Sequence, residues 1–440
     1  MANAETMSSK LKLEAREAKD SRGKPTVEVT LTLGSITTMG DVPAGASKGE
    51  DEAQTTDVPS AVKAVTDVIL PMLQKANLDL SEHKNLVALE KMMIERGGKN
   101  FRDLAANAVV PVSRALWRAA AKLHQQELVD YIKQQEAAPP SSSKRVHFYM
   151  NIFNGGLHAL KAKDGEVLGK DRIDIQEIMV VPVRAKSYTE AMETGEKIDA
   201  ALKSILIQKF GEKALTRGDE AGFTVKGLGD STEAIGYVFD AIKNAGFVPG
   251  DDVKLALDVA ASSFYDTAKN VYNFQGKAMS THDMIEYYKG LADTYAGKLL
   301  SIEDGLAEND WDGWTQWTRE MTSRGIETIG DDLFVTQLPR LEKGIKDHAA
   351  SAILIKVNQN GSMYGTHEVM KRARQANMHC VVSHRSGETL DDSIADLAYG
   401  TGAFGLKTGD PQPVDAFPDP KTWVRRVKYL RMIAIEKSHS

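Results

Sequence analysis

The chain has 440 residues, 42% of them hydrophobic, with a net charge of −6 and an isoelectric point near 6.0. That composition supports a large core shared by two domains, and it offers no basic field for a nucleic-acid partner. No run is long and apolar enough to span a bilayer, residues Met1 to Gly23 lack the apolar centre of a secretory signal, and the single Cys380 cannot form an intramolecular disulfide, so no membrane is expected and the cytoplasm is the expected compartment.

In chain order, Pro25 to Leu33 alternates strictly, with Val27, Val29, Leu31 and Leu33 on one face, which predicts a half-buried antiparallel strand. Two helical patterns follow, around Ser60 to Lys75 and Phe101 to Gln135, and Pro71 and Pro111 are expected to kink or divide them. The stretch Glu136 to Lys144 is rich in alanine, proline and serine. It reads as a linker that separates a first domain, residues 1–140, from a second, residues 145–440. Beyond it, Ser187 and Glu190 have capping-box spacing, and Gly246 closes a helix from Thr232 to Ala245. Trp311, Trp314 and Trp317 share a helix face suited to core packing.

Six short apolar runs in the second half end on Asp258, Glu303, Asp331, Lys356, His384 and Lys407, with gaps of 45, 28, 25, 28 and 23 residues between these ends. Most gaps suit one strand and one returning helix, and the longest carries an extra polar segment from Tyr265 to Asp283. Repeated right-handed crossovers close into an α/β barrel whose strand ends converge on one face. Singly, each terminal residue is an ordinary strand-end group. In register, three converging carboxylates would repel unless hard divalent cations such as Mg²⁺ sat among them. Lys356 or Lys407 could also serve as the Schiff-base amine of a barrel aldolase, although three nearby carboxylates argue against that chemistry.

An ordered set of motifs accompanies this spacing: Asp20-Ser-Arg-Gly, Gly45-Ala-Ser47, Met150-Asn-Ile-Phe-Asn-Gly-Gly156 with His158, Gln176-Glu177, Gly218-Asp-Glu220, Asp258-Val-Ala-Ala-Ser262, Ser301-Ile-Glu-Asp304, Glu308-Asn-Asp-Trp311, Gly330-Asp-Asp-Leu333, Lys356-Val-Asn-Gln359, Ser383-His-Arg-Ser-Gly-Glu-Thr389 and Lys407-Thr-Gly409. Nearly end to end, the chain resembles the enolase family. The resemblance implies an N-terminal α+β capping domain on a C-terminal TIM-type barrel, and dehydration of 2-phosphoglycerate to phosphoenolpyruvate with two Mg²⁺ ions. Asp258, Glu303 and Asp331 match the family's ligands for the tighter ion, and Ser47 the loop residue that helps hold the second. Lys356 matches the general base, and Lys407 the cation that supports the developing dianion. The general acid corresponds to Glu220, assisted by Glu177. His158 lies near phosphate and leaving group, while Gln176, His384, Arg385 and Ser386 match substrate-binding positions. Burial beside Lys407 and two cations would lower the Lys356 pKa, as a neutral base requires. A homodimer or higher homo-oligomer is also implied.

The text departs from the family's at Ala44, Lys48, Leu157, Ala221, Ser263 and Asn360. The segment from Ala159 to Ile175 is longer than usual and carries Lys161, Lys163, Lys170 and Arg172, and Asp410 to Pro420 replaces a Ser-Arg-Ser-Glu-Arg pattern. Proton abstraction is retained while the rim is altered, so a paralogue acting on a related phospho- or phosphono-carboxylic acid, such as a carboxyphosphonoenolpyruvate synthase, is the second expectation. A non-catalytic enolase-like binding protein is a third, opposed by the presence of Lys356 and Glu220.

Overall fold

The computed structural model describes residues 11–45, 48–136, 145–159, 172–411 and 420–439, without the side chains of residues 420–422. Strands β1 (Leu11–Lys19), β2 (Pro25–Leu33) and β3 (Ile36–Asp41) form an antiparallel sheet in that order. The alternation of β2 sends Val27, Val29, Leu31 and Leu33 into the core, as its sequence predicts. The first helical pattern is divided at a π-helical turn, Val65–Ile69, and Pro71 falls in the first turn of the helix that follows, where a missing N–H is harmless.

Pro111 does not divide the second pattern. The helix Ala106–Leu123 runs through it unbroken, and the chain divides later, before the helix Leu128–Gln134. Packing accounts for this: a Cβ on Gly40 of β3 would lie 2.2 Å from the Pro111 carbonyl oxygen, so the helix is pressed backbone to backbone against the sheet. Of the predicted capping box only half forms. Ser187 Oγ accepts from Glu190 N, but the Glu190 carboxylate turns to Lys186 N.

The barrel strands are β4 (His147–Asn154), β5 (Glu177–Val181), β8 (Lys254–Asp258), β12 (Leu299–Glu303), β13 (Glu327–Gly330), β14 (Ala352–Ile355), β15 (His379–Ser383) and β16 (Gly405–Lys407), closed by parallel pairing of β16 with β4. The repeat is not uniformly parallel, because β5 runs antiparallel to both neighbours, β4 and β8. Apolar runs of this length look alike in either direction. A hairpin of β6 (Leu215–Arg217) and β7 (Phe223–Val225) attaches to the end of β4. The extra polar segment folds as a small sheet, β9 (Tyr265–Asp266), β10 (Val271–Phe274) and β11 (Lys277–Met279).

Tyr149, Met179, Ala256, Ile329, Leu354 and Val381 fill the barrel interior, while a second, larger core lies outside the barrel and includes buried Trp314 and Trp317. The N-terminal sheet seats its loops on the open end of β15. Ala44 and Gly387 exchange backbone hydrogen bonds, Ser21 N donates to Glu388 O, and Asn358 Nδ2 donates to Pro43 O. Among the described residues, no helix is long and apolar enough to cross a membrane.

Candidate active site

A polar cleft opens where the strand ends meet the N-terminal loops. Its lining includes Gln176, Glu177, His158, Glu220, Asp258, Asp331, Lys356, His384, Arg385, Ser386 and Lys407, so the barrel brings together nearly every residue singled out in the sequence. Glu303 lies just behind the lining, against Lys407. Ser47 falls outside the described residues, as does most of the long segment after Ala159.

Parallel register sets the row of acids. Glu303 pairs with Asp258 across β12 and β8, and the reversed β5 presents Glu177 beside Asp258. Lys407 Nζ donates to Asp258 Oδ2 at 2.9 Å and to Glu303 Oε2 at 2.9 Å, and stands 3.3 Å from Glu177 Oε1. These attractions outweigh burial and raise the Lys407 pKa well above its ordinary value, whereas burial together with neighbouring acids raises Glu177 and Glu303 well above theirs.

Lys356 ion-pairs with Asp331, whose other oxygen accepts from Gln359 Nε2 at 2.9 Å. This differs from the expected depression of the Lys356 pKa. Burial does push it down, but Asp331 overcomes burial and the net direction is upward in the protein alone. Asp331 also belongs to a tight acidic group with Asp304 and Asp332, with candidate ligand atoms within 4.8 Å of one another. Asp304, in a left-handed conformation at φ 44°, accepts from the backbone N–H groups of Asp331 and Asp332 and fixes that turn. Asp332 is pushed up to about 7 by burial and by Asp331.

Across the cleft, His158 lies 3.5 Å from Glu177 Oε1 and 3.8 Å from Glu220 Oε1. Asn151 Nδ2 donates to Glu220 Oε2 at 3.2 Å, and His384 Nε2 is 3.1 Å from the same oxygen. Burial works to raise Glu220, yet His384, His158 and Arg425 hold it well below the carboxylate range in the protein alone, whereas burial and Glu220 raise Glu177. His384 is lowered to about 4, chiefly by burial, and is neutral near pH 7. Glu220 is followed by Ala221 at φ 68°, a left-handed position that glycine would occupy without strain. Arg385 is held by Glu52 of the N-terminal domain at 2.9 Å and by Asn358 at 3.1 Å, which aims its guanidinium across the cleft mouth.

The donor set fits a hard divalent cation. All four strand-end acids are buried oxygen donors, and Glu177 Oε2 has no hydrogen-bond partner among the described residues. Asp258, Glu303 and Asp331 end neighbouring strands as the spacing predicts, but Asp258 and Glu303 turn to Lys407 while Asp331 turns to Lys356.

Sequence reasoning passed over several contributors. Asp304 and Asp332 adjoin predicted residues and were legible as doubled acids. Asn151 stands in the Met150–Gly156 motif without an assigned role, whereas Glu52 and Arg425 reach the site only through tertiary packing, and no local pattern marks them.

Comparison with known families agrees with this geometry. Residues 11–132 match the family model described as the enolase N-terminal domain, and residues 146–435 match that of the enolase C-terminal TIM barrel domain. Enolase domains carry divalent-metal, lyase-type chemistry on small molecules, which the acidic cleft accommodates. With both models matched in order over nearly the whole chain, the protein belongs to the enolase family.

Proposed function

We propose that this protein dehydrates 2-phosphoglycerate to phosphoenolpyruvate, with two Mg²⁺ ions per site. One observation carries the reading: two strand-end lysines, Lys356 and Lys407, share a single cleft with a row of carboxylates and with the Glu177–His158–Glu220 group opposite. Removing a proton beside a carboxylate builds charge on an existing anion, so the site must supply cations there. Enolase-superfamily sites with a lysine or histidine base and Mg²⁺ are an established pattern for this step.

Asp258, Glu303 and Asp331 would hold the tighter ion, Ser47 would contribute to the second, and the ions would supply electrostatic stabilisation of the developing dianion. Lys356 takes the α-proton once Asp331 is engaged elsewhere and no longer holds the amine charged. Lys407 keeps its charge and faces the growing negative charge. Glu220, assisted by Glu177, donates a proton to the departing hydroxide. Gln176, His384, Arg385 and Ser386 grip the substrate, the arginine fork suiting phosphate. A cytoplasmic glycolytic role and a homo-oligomer accompany this reading by family likeness.

Ala221 in its strained turn and Asn360, whose amide donates to Thr336 O at 3.0 Å, are rim departures that favour a second reading, a related phospho- or phosphono-carboxylic acid as substrate.

The test is to mix the full chain, Mg²⁺ and 2-phosphoglycerate and follow enol absorbance, expecting turnover on the order of 1–10³ s⁻¹. Lys356→Ala abolishes exchange of the substrate α-proton with deuterated solvent. Glu220→Gln retains exchange while dehydration falls on the order of 10²–10⁴-fold. Exchange at the wild-type rate in Lys356→Ala would overturn the assignment, and turnover of a phosphonate analogue alone would move the substrate to the second reading.

A further inference from the structure

Arg425 lies on the C-terminal helix Pro420–Ser438, far in sequence from every residue discussed above, and its side chain is fully buried. Among the described residues its guanidinium makes no hydrogen bond to a carboxylate. One terminal nitrogen donates to Arg385 O at 2.6 Å and lies 2.8 Å from His384 Nδ1, and the other donates to Ser386 O at 2.7 Å and to Asp219 O at 3.1 Å. Three of these acceptors belong to consecutive residues of the turn after β15. The fourth belongs to the residue that precedes Glu220.

A guanidinium has five N–H donors in a rigid plane and no acceptor. His384 Nδ1 must therefore be the accepting nitrogen, which leaves the ring proton on Nε2, 3.1 Å from Glu220 Oε2. The backbone carbonyls of Arg385 and Ser386 are drawn outward into the helix, leaving their side chains on the cleft. Space around this joint is tight. A Cβ on Gly409 would lie 2.9 Å from Glu220 O, 3.0 Å from Arg425 Cδ and 3.1 Å from His384 Cε1, and Gly409 itself has φ 77°, a conformation that favours glycine. Two further bonds lock the same corner: Asp410 N donates to Glu220 O at 3.1 Å, and Tyr429 Oη donates to Gly409 O at 2.7 Å.

We infer that Arg425 is a positioning residue that ties the His384–Ser386 turn to the Asp219–Glu220 turn, so that the anion grip and the proton donor move as one rigid unit. Among the described residues, Lys356 and the strand-end acids Asp258, Glu303 and Asp331 share no hydrogen bond with it. Loss of Arg425 thus separates the two halves of the reaction, impairing proton delivery and phosphate binding while sparing α-proton abstraction. Lysine cannot replace it, because a single ammonium carries three donors from one point and cannot span four acceptors in a plane.

This inference rests on the proposed dehydration, and the experiment separates the two. In Arg425→Ala, the ratio of dehydration to α-proton exchange should fall on the order of tenfold or more, within the range that proton delivery contributes. KM for the phosphorylated substrate should rise, and added guanidinium ion should restore the ratio where ammonium does not. Arg425→Lys should show the same defect without rescue. A readout that needs no turnover is the ¹⁵N spectrum of the His384 ring in the full chain without substrate. Wild type should show an unprotonated Nδ1 and a protonated Nε2 near pH 7, and Arg425→Lys should shift the Nδ1 resonance. Equal losses in exchange and dehydration without guanidinium rescue, or an unshifted His384 spectrum in Arg425→Lys, would overturn the inference. Failure of wild type to act on 2-phosphoglycerate would instead strike the proposed function, and the His384 spectrum would still decide the role of Arg425.

Discussion

Replacing Lys407 with methionine retains the volume of the stem and deletes a charge shared by three buried acids. The partners Asp258 Oδ2 and Glu303 Oε2 lie at 2.9 Å and Glu177 Oε1 at 3.3 Å, and all three residues are buried. Removing one partner of a buried ion pair leaves uncompensated charge and destabilises by about 3–5 kcal/mol. Protonation relieves part of this. Glu177 and Glu303 already have folded pKa values above their unfolded ones, so their contribution to stability is present at low pH and lost as pH rises through the raised values. Without Lys407 those values climb further, and the gap between wild type and Lys407→Met must widen from pH 5 to pH 8. Urea denaturation across that range, with a chelator present, measures it. Mg²⁺ supplies a substitute charge, worth about 2.7 kcal/mol at a hundredfold excess over its Kd. It should stabilise the variant more than wild type, because the lysine no longer competes for the same oxygens. Equal stability of the two proteins in chelator at pH 8, or equal stabilisation of both by Mg²⁺, would refute the reasoning.

Two further outcomes follow from other parts of the molecule. Asp331→Asn should weaken Mg²⁺ binding by more than the roughly 10–100-fold that loss of an outer partner causes, and calorimetric titration showing unchanged affinity would remove Asp331 from the ligand set. Glu90, buried under the N-terminal domain with Ser113 Oγ donating to it at 2.6 Å, is raised to about 7 by burial, so its contribution is full below the ordinary carboxylate range and disappears as pH rises through about 7. Glu90→Gln should remove on the order of 3 kcal/mol of pH dependence between pH 4.5 and 7, and identical pH–stability slopes in the two proteins would exclude this carboxyl as their source.

What the sequence disclosed and what it withheld divide along physical lines. Asp258, Glu303, Asp331, Lys356, His384 and Lys407 were legible because a strand buried on both faces is a largely apolar run that an acid or base closes at the open end. The direction of β5 was not legible, since Glu177–Val181 is equally apolar read either way. Pro111 was misread because intrinsic backbone preference was set against a contact with Gly40 that only the folded sheet provides. The partners of site groups were least visible. Lys356 carries no local sign that Asp331 will hold it, and Arg425 and Glu52 come from distant segments that meet only after the barrel closes.

The reversed direction of β5 leaves a mark on the rest of the chain. β5 ends on the floor of the barrel at Val181, beside Lys254 where β8 begins, so a hairpin would suffice to join them; instead the helix Tyr188–Phe210 climbs back, starting where the Tyr188 hydroxyl accepts from Val146 N beside the foot of β4. Its 23 residues span about 35 Å at the usual helical rise. They deliver the chain to the summit of β4, where Phe223 pairs with Phe153 and the turn bearing Glu220 hangs over the opening. A second helix, Ser231–Asn244, then carries the chain back down to Lys254. A uniformly parallel barrel would cross this stretch with one descending helix and make no stop at the top. The up-and-down excursion inserted between β5 and β8 supplies the additional landing on which the proposed proton donor stands.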